Sequence, residues 1–300
     1  MPQRTKDVVL ADKFTKITHS KPTLALDPAN NKLPAGLNVC VIGASRGIGE
    51  HIPYAYAQAG AASIVLAARS SSSRELAQVE RKCNEINPST KIIALSVDIT
   101  SATSVADLAA AVKKELGKLD VLILNSGYSG PVVLNVHEGN PQDFQDVFNV
   151  NVQGTYHVAH YFIPLLIESN GAKSFLVVGS FAACINSGHI ANTAYCISKF
   201  AQSRLIEFIK EQYEKDGILS VAIHPGAVLT EMADSTTPES FRPYLTDEPG
   251  LCGAVCVWLS KEKRMWLNGR LISATWDIEE LEQRKESIEN DDLLKWGFRV

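Results

Sequence analysis

Nothing in the 300-residue chain approaches the roughly 18 apolar residues of a membrane span. Its six cysteines, Cys40, Cys83, Cys184, Cys196, Cys252 and Cys256, contain no CxxC pair and follow no disulfide rhythm. Charge of one sign is also missing, since 29 Lys+Arg against 33 Asp+Glu leave a formal charge of -4. No repeat of solenoid period is visible. These absences exclude a membrane-spanning helix, a disulfide-stapled scaffold, a dedicated nucleic-acid binder and a repeat array. The chain is expected to be soluble, in the reducing cytoplasm, with no membrane, nucleic-acid or metal partner. Cys252 and Cys256 share one helix face, and His157 and His160 sit three apart in an apolar stretch; both pairs read as core residues rather than metal ligands. The longest apolar run near the N-terminus, Val8-Val9-Leu10-Ala11, is too short for a secretory h-region. Asp7 and Asp12 weaken a mitochondrial-transit reading that nearby Lys and Arg residues keep open.

What is present is an ordinary globular composition, 45% hydrophobic and 21% charged. Residues 1–36 read as an arm without sustained periodicity, ending in the turn-like Asn30-Asn31-Lys32-Leu33-Pro34-Ala35-Gly36. Short unbroken apolar runs then predict strands over Val39–Ile42, Ser63–Ala67, Lys91–Val97, Val121–Leu124, Phe175–Val178, Leu219–Ile223 and Arg270–Ser273. Helical patterns fall between them at Ile52–Gln58, Glu75–Ile86, Val105–Leu116, Phe144–Leu166, Ala194–Glu214 and Gly250–Leu259. Strands buried on both faces and alternating with helices predict an α/β fold. It is a single Rossmann-type, doubly wound domain over 37–275, with a parallel sheet of about seven strands and helices on both faces. A helical tail is expected over 276–300.

The first strand runs into Gly43-Ala44-Ser45-Arg46-Gly47-Ile48-Gly49. Glycines between a strand and a helix let backbone N–H groups approach a pyrophosphate closely, so this turn points to a dinucleotide. Its spacing is GxxxGxG. A binder of the unphosphorylated cofactor places an acid at the end of the second strand. Here the strand ends Leu66-Ala67-Ala68-Arg69, followed by Ser70 to Ser73, and Arg46 stands inside the turn. Two guanidiniums without an acid favour a 2′-phosphate, hence NADP(H).

Tyr195-Cys196-Ile197-Ser198-Lys199 places a phenol and an ammonium four residues apart on one helix face. A free tyrosine is a poor base near neutral pH, and a nearby fixed positive charge stabilises its phenolate. Together with Val97-Asp98-Ile99, Asn125-Ser126-Gly127, Asn151-Val152-Gln153-Gly154, Ser180 and Pro225-Gly226-Ala227-Val228-Leu229-Thr230, these motifs make the chain resemble the classical short-chain dehydrogenase/reductase family over about residues 37 to 275. The segment Lys21–Pro28 and the tail after Trp276-Asp277 resemble those of fungal members, many of them in specialised metabolism.

The resemblance implies roles. Tyr195 would exchange a proton with the substrate oxygen, Lys199 would lower its pKa and bind the nicotinamide ribose, and Ser180 would hydrogen-bond the reacting oxygen. Asn151 would hold a water linking Lys199 to solvent. Asp98 and Ile99 would meet the adenine, and Asn125, Ser126 and Gly127 would line the cofactor cleft. Pro225, Gly226, Val228 and Thr230 would meet the carboxamide end, while Gly43, Ser45, Arg46, Gly47, Ile48, Gly49 and Arg69 would hold the phosphates. The separation of fifteen residues between Ser180 and Tyr195 is about two longer than the family's usual spacing, which leaves Ser187 open as the alternative serine and reshapes the pocket near His189.

The expected reaction moves a hydride between nicotinamide and a ketone or secondary alcohol of a small to medium, largely apolar metabolite. A catalytically weak cofactor-binding scaffold and an NAD-linked alcohol dehydrogenase running oxidatively are the alternatives. An isomerase or dehydratase on a related fold is less favoured, since it would carry GxxGxxG. The segment 229–250 is expected to be a lid carrying Met232, Phe241 and Tyr244, which with Phe181, Ile185 and Trp276 either line an apolar pocket or only pack the lid. The resemblance also implies a homodimer or homotetramer paired through the helices predicted at Phe144–Leu166 and Ala194–Glu214.

Overall fold

The computed structural model describes residues 11–298; Val8 to Leu10 of the run scanned for a leader lie outside it. Seven strands form one parallel sheet: β1 Asn38–Ile42, β2 Ser63–Ala68, β3 Lys91–Ser96, β4 Val121–Leu124, β5 Ser174–Val178, β6 Leu219–His224 and β7 Arg270–Ser273. Their spatial order is β3-β2-β1-β4-β5-β6-β7, all pairs parallel. The order reverses between β1 and β4, so the crevice at the carboxyl ends of those two strands is where a doubly wound sheet takes its ligand.

The principal helices are α1 Ile48–Ala59, α2 Arg74–Ile86, α3 Ala102–Leu116, α4 Pro141–Phe148, α5 Gly154–Glu168 and α6 Thr193–Tyr213. Beyond them lie α7 Glu231–Thr236, α8 Gly250–Lys261, α9 Ile278–Gln283 and α10 Lys285–Asn290. Local chemistry sets their starts: Ser73 and Ser101 accept hydrogen bonds from Leu76 N and Ser104 N as caps of α2 and α3. On one face α1 packs against α2 and α8, and a Cβ at Gly253 would lie 3.0 Å from Ala55 Cβ, so glycine there sets how closely α8 meets α1. Cys252 and Cys256 are fully buried in α8, and the Tyr56 hydroxyl donates to the Cys256 carbonyl. Pro53 lies inside α1 past its first turn and forfeits one helix hydrogen bond.

Two expectations are corrected. The helix foreseen as one piece over Phe144–Leu166 is α4 and α5 joined by a π-helical turn, Asn149–Gln153. The wider turn is held by a local bond and a tertiary one, with Thr155 Oγ1 and Gln202 Nε2 both donating to the Asn151 carbonyl. His157 is half-buried with Nδ1 donating to the Ile99 carbonyl, but His160 is exposed rather than part of the core.

The described part of the arm packs onto the tail. Thr18 bridges Trp276, His19 Nε2 lies 2.8 Å from Asp277, and Trp276 Nε1 donates to the Ala11 carbonyl. The Phe14 ring lies 4.8 Å from Trp276, and the Arg284 guanidinium lies 3.8 Å from the Phe14 ring centroid. The tail then covers the outer edge of β7, where Leu271 N donates to the Leu294 carbonyl and the Arg270 guanidinium to those of Leu293 and Ile288. β7 is thus fully buried, while β3 at the opposite edge is half-exposed.

Candidate active site

The glycine turn closes β1. Gly43 has φ 88, and a Cβ there would sit 2.7 Å from Ser126 N, so both backbone and space require glycine. At Gly49 a Cβ would fall 1.9 Å from the Gly43 carbonyl oxygen and 2.4 Å from Asn125 Nδ2. Asn125 Nδ2 donates to that same carbonyl at 2.9 Å, tying the end of β4 to the turn. The first N–H groups of α1, from Ile48 on, face the crevice end of the sheet, where helix polarity favours a phosphate. Arg46 is exposed and paired with Glu231 of α7 at 2.6 Å. Arg69 is exposed at the end of β2, next to Ser71, whose N–H donates to Ser96 Oγ. Asp98 accepts from Thr100 through Oδ1, while Ile99 is buried against Gly154.

Helix α6 carries Tyr195 and Lys199 on one face. Lys199 is 3% exposed and its Nζ donates to the Val178 carbonyl and to Gln202 Oε1, each at 3.0 Å. Nζ stands 5.8 Å from the Tyr195 ring centroid. Ser180, just past β5, lies beside the Tyr195 hydroxyl, where its own hydroxyl favours the phenolate, and it accepts from Ala182 N. Ser187 is exposed in the loop beyond, so of the two serines left open, Ser180 is the one beside the phenol. Burial pushes Tyr195 up to about 12, an effect the Ser180 hydroxyl opposes, and burial pulls Lys199 down to about 8. At neutral pH the pair is therefore phenol and ammonium.

Asn151 is fully buried in the π-turn. Its side chain donates to the Tyr128 carbonyl and Ser198 Oγ and accepts from Tyr128 N, which fixes the loop after β4. A Cβ at Gly127 would lie 3.7 Å from Lys199 Nζ, so this loop forms the floor beside the ammonium. Gln202, which no motif in the sequence singled out, bonds Lys199 through Oε1 and Thr155 through Nε2. The available signal was its position three residues after Lys199, on the same helix face.

Pro225 and Gly226 follow β6, and Gly226 is crowded by Asp247, whose carboxylate accepts from Ala227 N at 2.6 Å. Val228 is buried. Thr230 caps α7 through Oγ1, and its methyl group would lie 3.3 Å from a Cβ at Gly47, so the 229–250 segment starts against the glycine turn. Phe181 and Trp276 are 5% and 1% exposed, so both are packed in the core instead of lining an open pocket wall. Phe181 stacks on His224 at 4.2 Å and lies 6.0 Å from Trp276.

His224 Nδ1 accepts from Phe181 N, and burial pulls its pKa from 6.5 to about 3. Below pH 6.5 the unfolded chain binds a proton that the folded chain refuses until about pH 3, so stability falls as pH drops across that window. His224→Asn, which keeps an acceptor for Phe181 N, is expected to reduce the stability loss between pH 7.5 and 4.5 by about 2 kcal/mol. Urea midpoints at the two pH values check it, and an unchanged loss would assign the acid sensitivity elsewhere.

A family model for short chain dehydrogenases matches residues 37–240. The Aspergillus terreus protein "Short chain dehydrogenase pgmD" is 38% identical over 296 residues, covering 96% of this chain and 94% of the relative. "Short chain dehydrogenase mpl6" of Monascus purpureus is 40% identical over 261 residues, covering 87% and 88%. A Shigella flexneri 2a short chain dehydrogenase solved in complex with NADP superposes with a TM-score of 0.72 at 26% identity, covering 81% of this chain and 98% of that one. The glycine turn, the seven-stranded sheet and these relatives agree: the chain belongs to the short chain dehydrogenase family and is an oxidoreductase of the kind that uses a nicotinamide cofactor.

Proposed function

We propose that the protein interconverts a ketone and a secondary alcohol of a small to medium, largely apolar metabolite with NADP(H). The observation that carries this reading is the placement of Lys199 Nζ 5.8 Å from the Tyr195 ring, with Ser180 beside the phenol and the Gly127 loop beside the ammonium. Gly43 and Gly49, where any Cβ would collide with Ser126 and with the Gly43 carbonyl, keep the turn closed at the start of α1, and the backbone N–H groups there suit a pyrophosphate. Gly47, Ile48 and Ser45 complete that turn, Asp98 and Ile99 hold the adenine side, and Asn125, Ser126 and Gly127 line the middle. Pro225, Gly226, Val228 and Thr230 hold the far end. When bound, the cofactor supplies or accepts the hydride.

Tyr195 delivers its proton to the carbonyl oxygen during reduction and removes it from the alcohol during oxidation. The Lys199 ammonium stabilises the phenolate that forms. Ser180 donates to the substrate oxygen, where charge develops. Asn151 and Gln202 act as positioning residues, the first through the Tyr128 backbone and the second through Lys199. Exposed Tyr156, Ile197, Phe200 and Phe208 on α5 and α6 support pairing into a homodimer or homotetramer, and six cysteines without a CxxC pair or a disulfide rhythm suit the reducing cytoplasm.

Fluorescence titration with NADPH and NADH tests the cofactor. NADPH is expected to bind at least about 10-fold more tightly, because charge-assisted bonds contribute about 1.5–3 kcal/mol each. Arg46→Ala with Arg69→Ala is expected to bring the ratio close to one while leaving NADH affinity in place. A 2′-phosphate must take Arg46 from Glu231, which is feasible because an exposed ion pair contributes only about 0–1 kcal/mol. That same pair favours the second reading, an NAD-linked alcohol dehydrogenase, which equal affinities in the unaltered protein would support.

A further inference from the structure

Among the described residues, two side-chain polar atoms are buried without a hydrogen-bond partner: His189 Nε2 and Asn192 Oδ1. They lie three residues apart in the segment that leads into α6. Leaving a buried polar atom unpaired costs about 1–3 kcal/mol, and a native protein tolerates that where something else completes the bond. Elsewhere the chain satisfies such groups thoroughly; buried Asn268, Gln202 and Arg270 each make several bonds.

Asn192 is the N-cap of α6, a position where asparagine ordinarily accepts a helix N–H through its side chain, yet it makes no such bond. Its Nδ2 instead donates to the Ser129 carbonyl at 3.0 Å. A carbonyl partner requires the amide nitrogen on that side, so the free atom is an oxygen, an acceptor. Thr193 N donates to the Val133 carbonyl and holds the turn against the loop after β4. Asn192 directly precedes α6, three residues before Tyr195 and seven before Lys199, so it stands at the start of the helix that carries both. His189 meets the 229–250 segment, its ring edge-on to Phe241 at 6.4 Å.

We propose that His189 and Asn192 are the polar anchor of the substrate, and that the substrate is a ketone, or its alcohol, carrying a second, neutral hydroxyl group. The proposal rests on the dehydrogenase reading of Ser180, Tyr195 and Lys199. A hydroxyl donates to Asn192 Oδ1 and pairs with His189 Nε2 in either tautomer of the ring, since it both donates and accepts. A carboxylate or phosphate is disfavoured, because it would set its own charge against the amide oxygen. Phe241 and Tyr244 offer apolar contact to the carbon frame.

The test measures NADPH consumption with α-tetralone and its ring-hydroxylated analogues, for the unaltered protein, His189→Phe and Asn192→Ala. His189→Phe removes an unpaired nitrogen and keeps a ring for Phe241, so its Tm is expected to hold or rise. The unaltered protein is expected to prefer a hydroxylated ketone by at least about 10-fold in kcat/KM. Each variant should bring that ratio close to one, with NADPH affinity unchanged. No preference in the unaltered protein, or a preference that survives both variants, would overturn the anchor and leave the two atoms to trapped water. Binding of NADPH without reduction of any of these ketones would overturn the substrate class. Absence of NADPH and NADH binding would instead reject the dehydrogenase reading beneath it.

Discussion

Tyr195→Phe is expected to lower turnover by at least about 10³-fold while leaving cofactor affinity within about twofold of the unaltered protein. The substitution removes one oxygen and keeps the ring. Ser180, its neighbour, still accepts from Ala182 N, so little else is left unpaired and the fold should hold. What disappears is the group placed to move a proton at the substrate oxygen. The pH dependence follows from the two shifted groups. Tyr195, held up at about 12, is protonated across the working range, whereas Lys199, pulled down to about 8, is an ammonium only below that value. Reduction should therefore be flat on the acid side and decline above about pH 8, as Lys199 loses the charge that stabilises the phenolate. Oxidation, which needs the phenolate, should gain as pH rises until the same loss intervenes. Initial rates in both directions over pH 6–10, together with cofactor titration of the variant, check the assignment. Turnover retained by Tyr195→Phe would remove the phenol from the mechanism.

Gly49→Ala is expected to weaken NADPH binding by at least about 100-fold. The added carbon would arrive 1.9 Å from the Gly43 carbonyl oxygen, a backbone atom that cannot swing aside. Either the turn opens or the start of α1 moves, and both displace the N–H groups that face the phosphates. Overpacking of this kind costs about 1–3 kcal/mol, which for a chain of this size lowers the melting point by about 3–10 °C. Gly250→Ala is the control. A Cβ at Gly250 meets nothing within 4 Å, so alanine there should leave both cofactor affinity and melting point in place. Equal affinity in the two variants would show that the turn does not cradle the cofactor.

The sheet was legible because buried parallel strands are written as short unbroken apolar runs. The ranges read for β4 and β7 coincide with the observed strands, and the others differ by a residue at one end. The break between α4 and α5 was not legible. Periodicity reports which face is apolar, whereas a π-turn depends on who completes its backbone bonds, and Thr155 and Gln202 do that from outside it. The pairing of Tyr195 with Lys199 could be read from a spacing of four, while Gln202, three residues after Lys199, carried the same kind of signal but belongs to no motif that drew attention to it. Ser180 was favoured over Ser187 by its place directly after the strand Phe175–Val178, while the loop length before Tyr195 left the choice open in the sequence. Phe181 and Trp276 were read as possible pocket walls from their aromatic character alone; their stacking depends on His224 and Phe14, which come from elsewhere in the chain.

That stack also bears on the order of assembly. His19 and Asp277 are 258 residues apart, and Trp276 reaches back to both Phe14 and Phe181. Contacts this distant in sequence form late, since a long loop must close before they stabilise anything. During synthesis the glycine turn and the first five strands emerge well before Trp276 does. A nascent chain can thus hold the glycine turn while the aromatic partner of Phe181, the neighbour of Ser180, is still missing. Competence to bind cofactor should precede competence to react.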